Sequence, residues 1–303
     1  MKPGIYPDLS MDDYHGSDAV GSSSLRLAGR SIDHYRAYLE TGIEETKSMR
    51  IGTAVHYAVL EPDKFQRRYI DSQPPLEFDN WRHKKTAIMA SLGMTIGEIA
   101  DELSIKPKTI TGYLDREEVQ AMIEHYEAFP PDDCPDLSGE EMDIVRRCQE
   151  AVLTHPVASE MVESATKEIS HFWKDEGTGI LCKCRPDMMI DQDIIVDLKT
   201  CQDARPDAFQ RSVAKWGYHA QAAWYREGVK QAAGDDRPNF LFLCVETGDV
   251  AGVSIYHCDS ELMERGHAAA MECLDAIHGH RSGRDKWTGY PTEITPLSLP
   301  AWA

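Results

Sequence analysis

Apolar positions recur with two different periods along this chain, and the change of period organises it. After Gly21, Ser22 to Ser24 lead into Leu25, Leu27 and Ala28, which predicts a helix start with a capping hydroxyl. Ile51, Val55, Ala58 and Val59 recur at helical spacing and predict a second helix that begins near Arg50 and stops before Pro62. Residues 84–128 predict two or three more helices, punctuated by Gly93, Pro107 and Gly112, and 129–139 (FPPDDCPDLSG) reads as a loop. Glu140 to Leu153 predicts a helix stopped by Pro156. The period then falls to two. Glu168 to Trp173 alternates, Asp175 to Gly179 supplies turn residues, and Ile180 to Arg185 reads as a second strand. Met188 to Asp193 reads as a short turn, and Ile194 to Lys199 as a β-branched third strand. A long helix is predicted over 207–232. Phe240 to Val245 is apolar throughout and predicts a central strand, Ala251 to His257 alternates, and Glu261 to Ile277 predicts a last helix before a Trp/Pro-rich tail. Together these predict an α/β fold with a central mixed sheet flanked by helices.

Composition narrows the class. The 303 residues are 42% hydrophobic and 27% charged, which fits an ordinary globular chain with a sizeable core and not a disordered one. No long apolar run reaches the roughly 18 residues of a membrane span. The first residues lack a signal-peptide core, so the expected location is the cytoplasm. A net charge of −19 argues against a histone-like or membrane-coating protein. It leaves nucleic acid open, because a local basic groove or bound cations override a global field. Eight cysteines include no CxxC pair and no terminal cluster, so a zinc ribbon or iron–sulfur site is not expected. Cys182 and Cys184 share a strand face and are expected to be reduced core thiols.

The strongest chemical signal is Asp187 with Asp197-Leu198-Lys199. Asp197 and Lys199 stand two apart on a predicted strand and share a face, and Asp187 ends the segment before it. Two acids on neighbouring apolar strands are costly unless something pairs with them. A divalent cation does so, and Mg²⁺ prefers such oxygen ligands. Lys199 would orient the attacking water or neutralise charge that develops on a phosphoryl oxygen. This is the PD-(D/E)xK arrangement, here Pro186-Asp187 and Asp197-x-Lys199; the alternative for the same residues is an ion-paired strand edge. Gln221 and Tyr225 share a helix face one turn apart. His56 lies at the margin of an apolar helix face, either as a satisfied core histidine or as a further metal ligand.

In this order, Gly52-x3-His56, Glu168, Asp187, Asp197-x-Lys199 and Gln221-x3-Tyr225 resemble the RecB-like PD-(D/E)XK nucleases. The chain is most similar to the RecE-type (exonuclease VIII) phage and prophage exonucleases. The resemblance is carried by Tyr14-His15 with Ser22-Ser23-Ser24-Leu25 and Ser31 to Tyr35, Gly52 to His56 with Leu60-Glu61-Pro62, His155-Pro156, and Cys182 to Asp187. Val196 to Thr200, Tyr218-His219-x-Gln221, Trp287 to Tyr290 and Leu299 to Trp302 complete it. It implies a PD-(D/E)XK core over 1–303 with 84–136 as a helical insertion. It implies a Mg²⁺-dependent exodeoxyribonuclease, with Mn²⁺ as a substitute, that resects linear duplex DNA 5′ to 3′ and leaves 3′ overhangs for recombination. A ring-shaped homo-oligomer on DNA ends, a single-strand annealing partner, and a phage or prophage origin in a bacterial host follow from it too. Residue by residue, it implies metal ligation by His56, Asp187, Asp197 and the Leu198 carbonyl, with Lys199 as the catalytic lysine. Glu168 would be an accessory acid, and Gln221 would position substrate or water. Tyr225 would touch substrate or pack. Ser23 would contact a 5′-phosphate or cap a buried helix.

Arg205, Arg211, Lys215 and Arg226 would give a local positive lining, or else form a solvated helix face. Residues 94–114 depart from the family pattern and resemble a helix-turn-helix. Its small core would be Ile96, Ile99, Ala100, Leu103, Ile105, Ile110 and Leu114, and its second helix would open at Lys108-Thr109. It would contact DNA, or serve packing or oligomer contact. Two alternative functions remain: a helix-turn-helix DNA-binding protein with a vestigial nuclease core, and a RecB-like endonuclease or nickase.

Overall fold

A computed structural model describes residues 1–71, 80–128, 137–285, 289–290 and 292–297. Residues 129–136 of the expected loop lie outside it, as do Trp287, Thr288 and Leu299 to Trp302 of the closing motif. The chain divides into two compact units: residues 1–46 with 151–303, and residues 47–150. Among the described residues, no helix is long and apolar enough to cross a membrane.

The first segment carries β1 (Gly4–Tyr6), α1 (Met11–Gly16), α2 (Ser22–Arg30) and α3 (Ile32–Thr41). The N-cap of α2 is Gly21, with no side-chain cap bond, so the expected capping hydroxyl is absent. The serine cluster instead forms the first turn, with Ser23 exposed and Ser24 buried. Ser31 caps α3, which follows α2 directly, by accepting from His34 N–H.

The helical unit starts with α4 (Lys47–Leu60), α5 (Pro62–Phe65) and a π-helical turn (Gln66–Asp71). It continues with α6 (Trp81–Ser91), α7 (Ile96–Glu102), α8 (Pro107–Leu114), α9 (Glu117–Ala128) and α10 (Gly139–Thr154). Local signals set these boundaries. Thr95 and Glu98 form a capping box at the start of α7. Pro107 opens α8 at its first turn, where a missing N–H costs nothing, so this helix begins before Lys108. Arg50 on α4 pairs with Glu141 on α10 at 2.6 Å, and Gln149 Nε2 donates to the Ala58 carbonyl at 2.6 Å.

In the sheet unit, Pro156 does not merely stop a helix. It opens α11 (Pro156–Ser164), and His155 Nδ1 caps it by accepting from Ala158 N–H. Then follow β2 (Thr166–Lys167), β3 (Ser170–Lys174), β4 (Leu181–Cys184), β5 (Met188–Ile190) and β6 (Ile194–Cys201). After these come α12 (Pro206–Trp216), α13 (Tyr218–Ala233), β7 (Asn239–Glu246), β8 (Val253–His257) and α14 (Ser260–Arg281). Among the described residues there are two sheets, of order β1-β3-β4 and β2-β5-β6-β7-β8. The larger is mixed: β6 and β7 are parallel, joined through α12 and α13, and its other pairings are antiparallel.

Three sequence expectations change here. The expected strand from Glu168 to Trp173 is present but starts two residues later, at Ser170, because the chain leaves the larger sheet after Lys167 and uses Glu168 and Ile169 to cross to the smaller one. The expected turn from Met188 contains β5, whose three apolar residues are too few to show a period. The expected helix over 207–232 is two helices, because Gly217 adopts a left-handed φ of 69° between them.

Helix α13 packs on β3 and β4. Trp224, fully enclosed, donates its indole N–H to the Lys183 carbonyl at 3.0 Å. The approach is close enough to require glycine at 228: a Cβ there would lie 2.5 Å from Cys184 Sγ and from the Trp173 ring. Cys182 and Cys184 are free thiols buried in this core, and burial raises the pKa of both.

Candidate active site

Two places where the chain changes sheets, β2 to β3 and β4 to β5, each carry an acid. Glu168 sits between β2 and β3, and Asp187 between β4 and β5. The crossings are tied together, since Glu168 N–H donates to the Asp187 carbonyl at 3.2 Å. Glu168 has a φ of 56°, a conformation that residues other than glycine seldom adopt and that persists only where the surroundings impose it. A carboxylate oxygen of Glu168 and one of Asp187 lie within 4.8 Å of each other.

Strand β5 pairs with β6 through Met188–Val196, so one step further Asp187 stands opposite Asp197. β5 ends there, and a side chain takes over its ladder: Asp187 Oδ2 accepts the Leu198 N–H at 2.6 Å. A carboxylate has about four lone-pair sites, so this bond fixes Asp187 without exhausting it as a ligand.

Asp197 is 1% exposed at the centre of the larger sheet. Its carboxylate forms an ion pair with Lys199 and accepts from Gln221 Nε2 at 3.0 Å. Lys199 Nζ lies 4.7 Å from the centroid of the Tyr218 ring. Burial alone would lower the lysine's pKa, but the charges of Asp197 and Asp187 outweigh it and raise it. The result is a fixed cation beside two acids. Leaving water costs each such ion several kcal/mol, on the order of what a well-placed partner returns, so the arrangement is maintained at little net gain in stability.

The chemistry of the donor set fits a hard divalent cation. Glu168 and Asp187 offer oxygens at a spacing compatible with shared coordination, and Asp197 follows on the adjacent strand. Leu198 is buried on β6, between Asp197 and Lys199 in sequence. His56 lies half-buried on α4, in the helical unit.

Of the remaining sequence candidates, Tyr225 is buried in the main core one turn beyond Gln221, and burial raises the pKa of its hydroxyl, to which nearby Asp197 and Asp187 add. Ser23 is exposed in the first turn of α2. The expected positive lining is largely neutralised: Arg205 pairs with Asp203 at 2.7 Å, Arg211 with Asp207 at 3.2 Å, and Arg226 with Asp236 at 3.1 Å. Lys215 rests over the Trp216 ring. Conversely, the sequence assigned Tyr218 no role. Its signal was present in Gly217, whose left-handed turn starts α13 with Tyr218 under Lys199 and Gln221 three residues on.

These features agree with the comparisons. A crystal structure of a candidate exonuclease from Eubacterium rectale is similar over 96% of both chains, with a TM-score of 0.57 and 15% identity, which supports the fold. An alkaline exonuclease from Laribacter hongkongensis matches 65% of this chain and 96% of its own at 12% identity, and its TM-score of 0.26 carries no weight. No curated protein matches. A family model described as a PDDEXK-like domain of unknown function (DUF3799) matches residues 21–288, nearly the whole chain. By that match, with Asp187, Asp197 and Lys199 in the places the motif requires, the chain belongs to the PDDEXK-like family and is a nuclease by class.

Proposed function

We propose that this chain is a divalent-metal-dependent exodeoxyribonuclease that hydrolyses the phosphodiester backbone of linear duplex DNA. The observation that carries it is the end of the β5–β6 ladder, where Asp187 takes the Leu198 N–H beside Glu168 and opposite the Asp197–Lys199 pair. Glu168, Asp187, Asp197 and the Leu198 carbonyl would hold the cation, with His56 added on the strength of the Gly52-x3-His56 motif. Mg²⁺ suits these ligands, and Mn²⁺ would substitute. The bound cation would lower the pKa of a water and offset phosphate charge.

The protein's own groups do the rest. Asp197 is held by Gln221 and Lys199, so its carboxylate does not need to reorganise as the reaction proceeds. The Lys199 ammonium stays charged and meets negative charge as it develops on the phosphoryl oxygens during in-line attack by water. Gln221 acts through Asp197, as a positioning residue. Digestion from 5′ to 3′, a ring-shaped oligomer threaded by DNA, an annealing partner and a bacterial cytoplasmic setting rest on the RecE-type resemblance.

The deciding experiment offers linear and closed circular duplex with Mg²⁺, and again with EDTA. Linear DNA alone should be degraded, and only with metal. Nicking or cutting of the circle would favour the endonuclease alternative; shift of DNA on a gel without any cleavage would favour the binding-protein alternative. Asp187→Asn keeps an oxygen for the Leu198 N–H and removes one charge. It should abolish digestion in a folded protein.

A further inference from the structure

The cutting chemistry leaves residues 81–116 without a role. This segment has a defined architecture of its own. Helix α7 closes in a Schellman motif: Ile105 N–H donates to the Ala100 carbonyl at 3.0 Å and Ser104 N–H to Asp101 at 3.1 Å. Ser104 takes the left-handed position there, with a φ of 54°. The chain then turns through Lys106 directly into α8. Ile99, Ala100, Leu103 and Ile110 pack the two helices together, with Ile105, Tyr113, Leu114 and the Met89–Ala90 end of α6 around them. Two short helices joined by a tight turn and braced by a third are the frame of a helix-turn-helix. Ile96, assigned to that core from sequence, is exposed instead.

The outer face of α8 is built for a polar, anionic partner. Lys106, Lys108, Thr109, Thr111 and Gly112 are all exposed, and a Cβ at Gly112 would meet nothing within 4 Å. Residues 106–114 contain two lysines and no acid. Over residues 81–116 there are six basic residues against four acidic ones, in a chain whose net charge is −19. Of those acids, Glu98 is committed to the capping box. Arg82, Lys84 and Lys85 are exposed on α6, with Arg82 and Lys85 over the Trp81 ring. The exposed face of α8 shows no large apolar anchor of the kind a protein partner would use, among the described residues. A helix with small, donor-bearing side chains fits the major groove, which is about as wide as a helix.

We propose that α7 and α8 form a duplex-DNA docking element, with α8 in the major groove and Lys106 and Lys108 on phosphates, separate from the cutting chemistry. It rests on the view that the chain acts on DNA, but it is tested without cleavage. The probe is an internally labelled dumbbell duplex, which has no ends, read by fluorescence anisotropy with the full chain in EDTA. The unaltered chain should bind it. Lys106→Ala with Lys108→Ala should weaken binding about tenfold or more at low salt. The slope of log affinity against log salt should also flatten by about two, because each lost phosphate contact removes about 0.9. An unchanged thermal midpoint shows that folding is intact, and Lys174→Ala, on β3, should leave affinity unchanged. No binding by the unaltered chain, unchanged affinity and slope in the double variant, or equal loss on single-stranded DNA would overturn the proposal. If the dumbbell binds through α8 but linear DNA is never digested, the nuclease proposal fails and this one stands. If digestion is normal and dumbbell binding ignores α8, the reverse holds.

Discussion

Helices α6 and α7 of the helical unit and the first residues of the sheet unit are fixed by contacts of different range. In the helical unit, the ends of α6 and α7 are closed by residues within six positions, through Gly93 and Ser104 in left-handed turns and the Thr95–Glu98 box. In the sheet unit, the first residues are fastened to strands far along the chain. Lys183 Nζ donates to Tyr14 and Ser17, Arg185 reaches the Leu9 carbonyl, and Arg281 reaches the Tyr35 hydroxyl. The acids and lysine with which we identify the site lie in the sheet unit, where two chain crossings and one strand end converge. Helices that satisfy their own backbone offer few such strand ends. A ladder that stops leaves backbone N–H groups for a side chain to take, and Asp187 takes one.

The contrast can be broken most severely at the buried charges. Lys199→Ala should cost about 3–5 kcal/mol, because it leaves Asp197 enclosed without its counter-charge. The pair Asp197→Asn with Lys199→Met should restore most of that stability, measured by urea unfolding, while digestion falls at least about a hundredfold. Equal destabilisation by both would mean that the pair serves the fold and not the chemistry.

One substitution type should have opposite signs in the two units. Gly228→Ala forces a Cβ against Cys184 and Trp173 and should cost about 1–3 kcal/mol. Gly112→Ala, in open space mid-helix, should gain up to about 1 kcal/mol. Thermal midpoints of the two variants test this directly.

Acid should act on the helical unit through Glu141. The Ser138 N–H, then the Arg50 guanidinium, pull its pKa from 4.5 down to about 2. A lowered carboxylate pKa stabilises the folded state fully above the unfolded value, and that stability is lost as pH falls from 4.5 toward 2. Thermal midpoints between pH 7 and pH 2.5 should therefore fall less steeply in Glu141→Gln than in the unaltered chain. The smallest effect is expected at Ser104→Gly. Glycine relieves the left-handed φ of 54° but frees the unfolded chain, for a net gain below about 1 kcal/mol in chemical denaturation.

Legibility in the sequence followed the range of the deciding contacts. The strand carrying Asp197 and Lys199 was readable because β-branched residues and a period of two are local properties. Asp187 was readable as its neighbour because only β5 and a tight turn intervene. Glu168 was legible as an acid but not in its setting, since alternation looks the same whether a strand continues or changes sheets. Pro156 was read as a stop and also opens a helix; the residue is the same, and only the chain that follows distinguishes the roles.

The sequence by itself determined many of the helices and strands, that Asp197 and Lys199 share one strand face, and that 94–114 is a two-helix motif. Tertiary structure decided where strands change partners, that Gln221 grips Asp197, that Tyr218 lies under Lys199, and that most of the expected arginine lining is paired with aspartates. The reason is physical. Periodicity and capping record interactions within a few residues, whereas ladder ends and ion pairs between elements depend on which distant backbone arrives alongside.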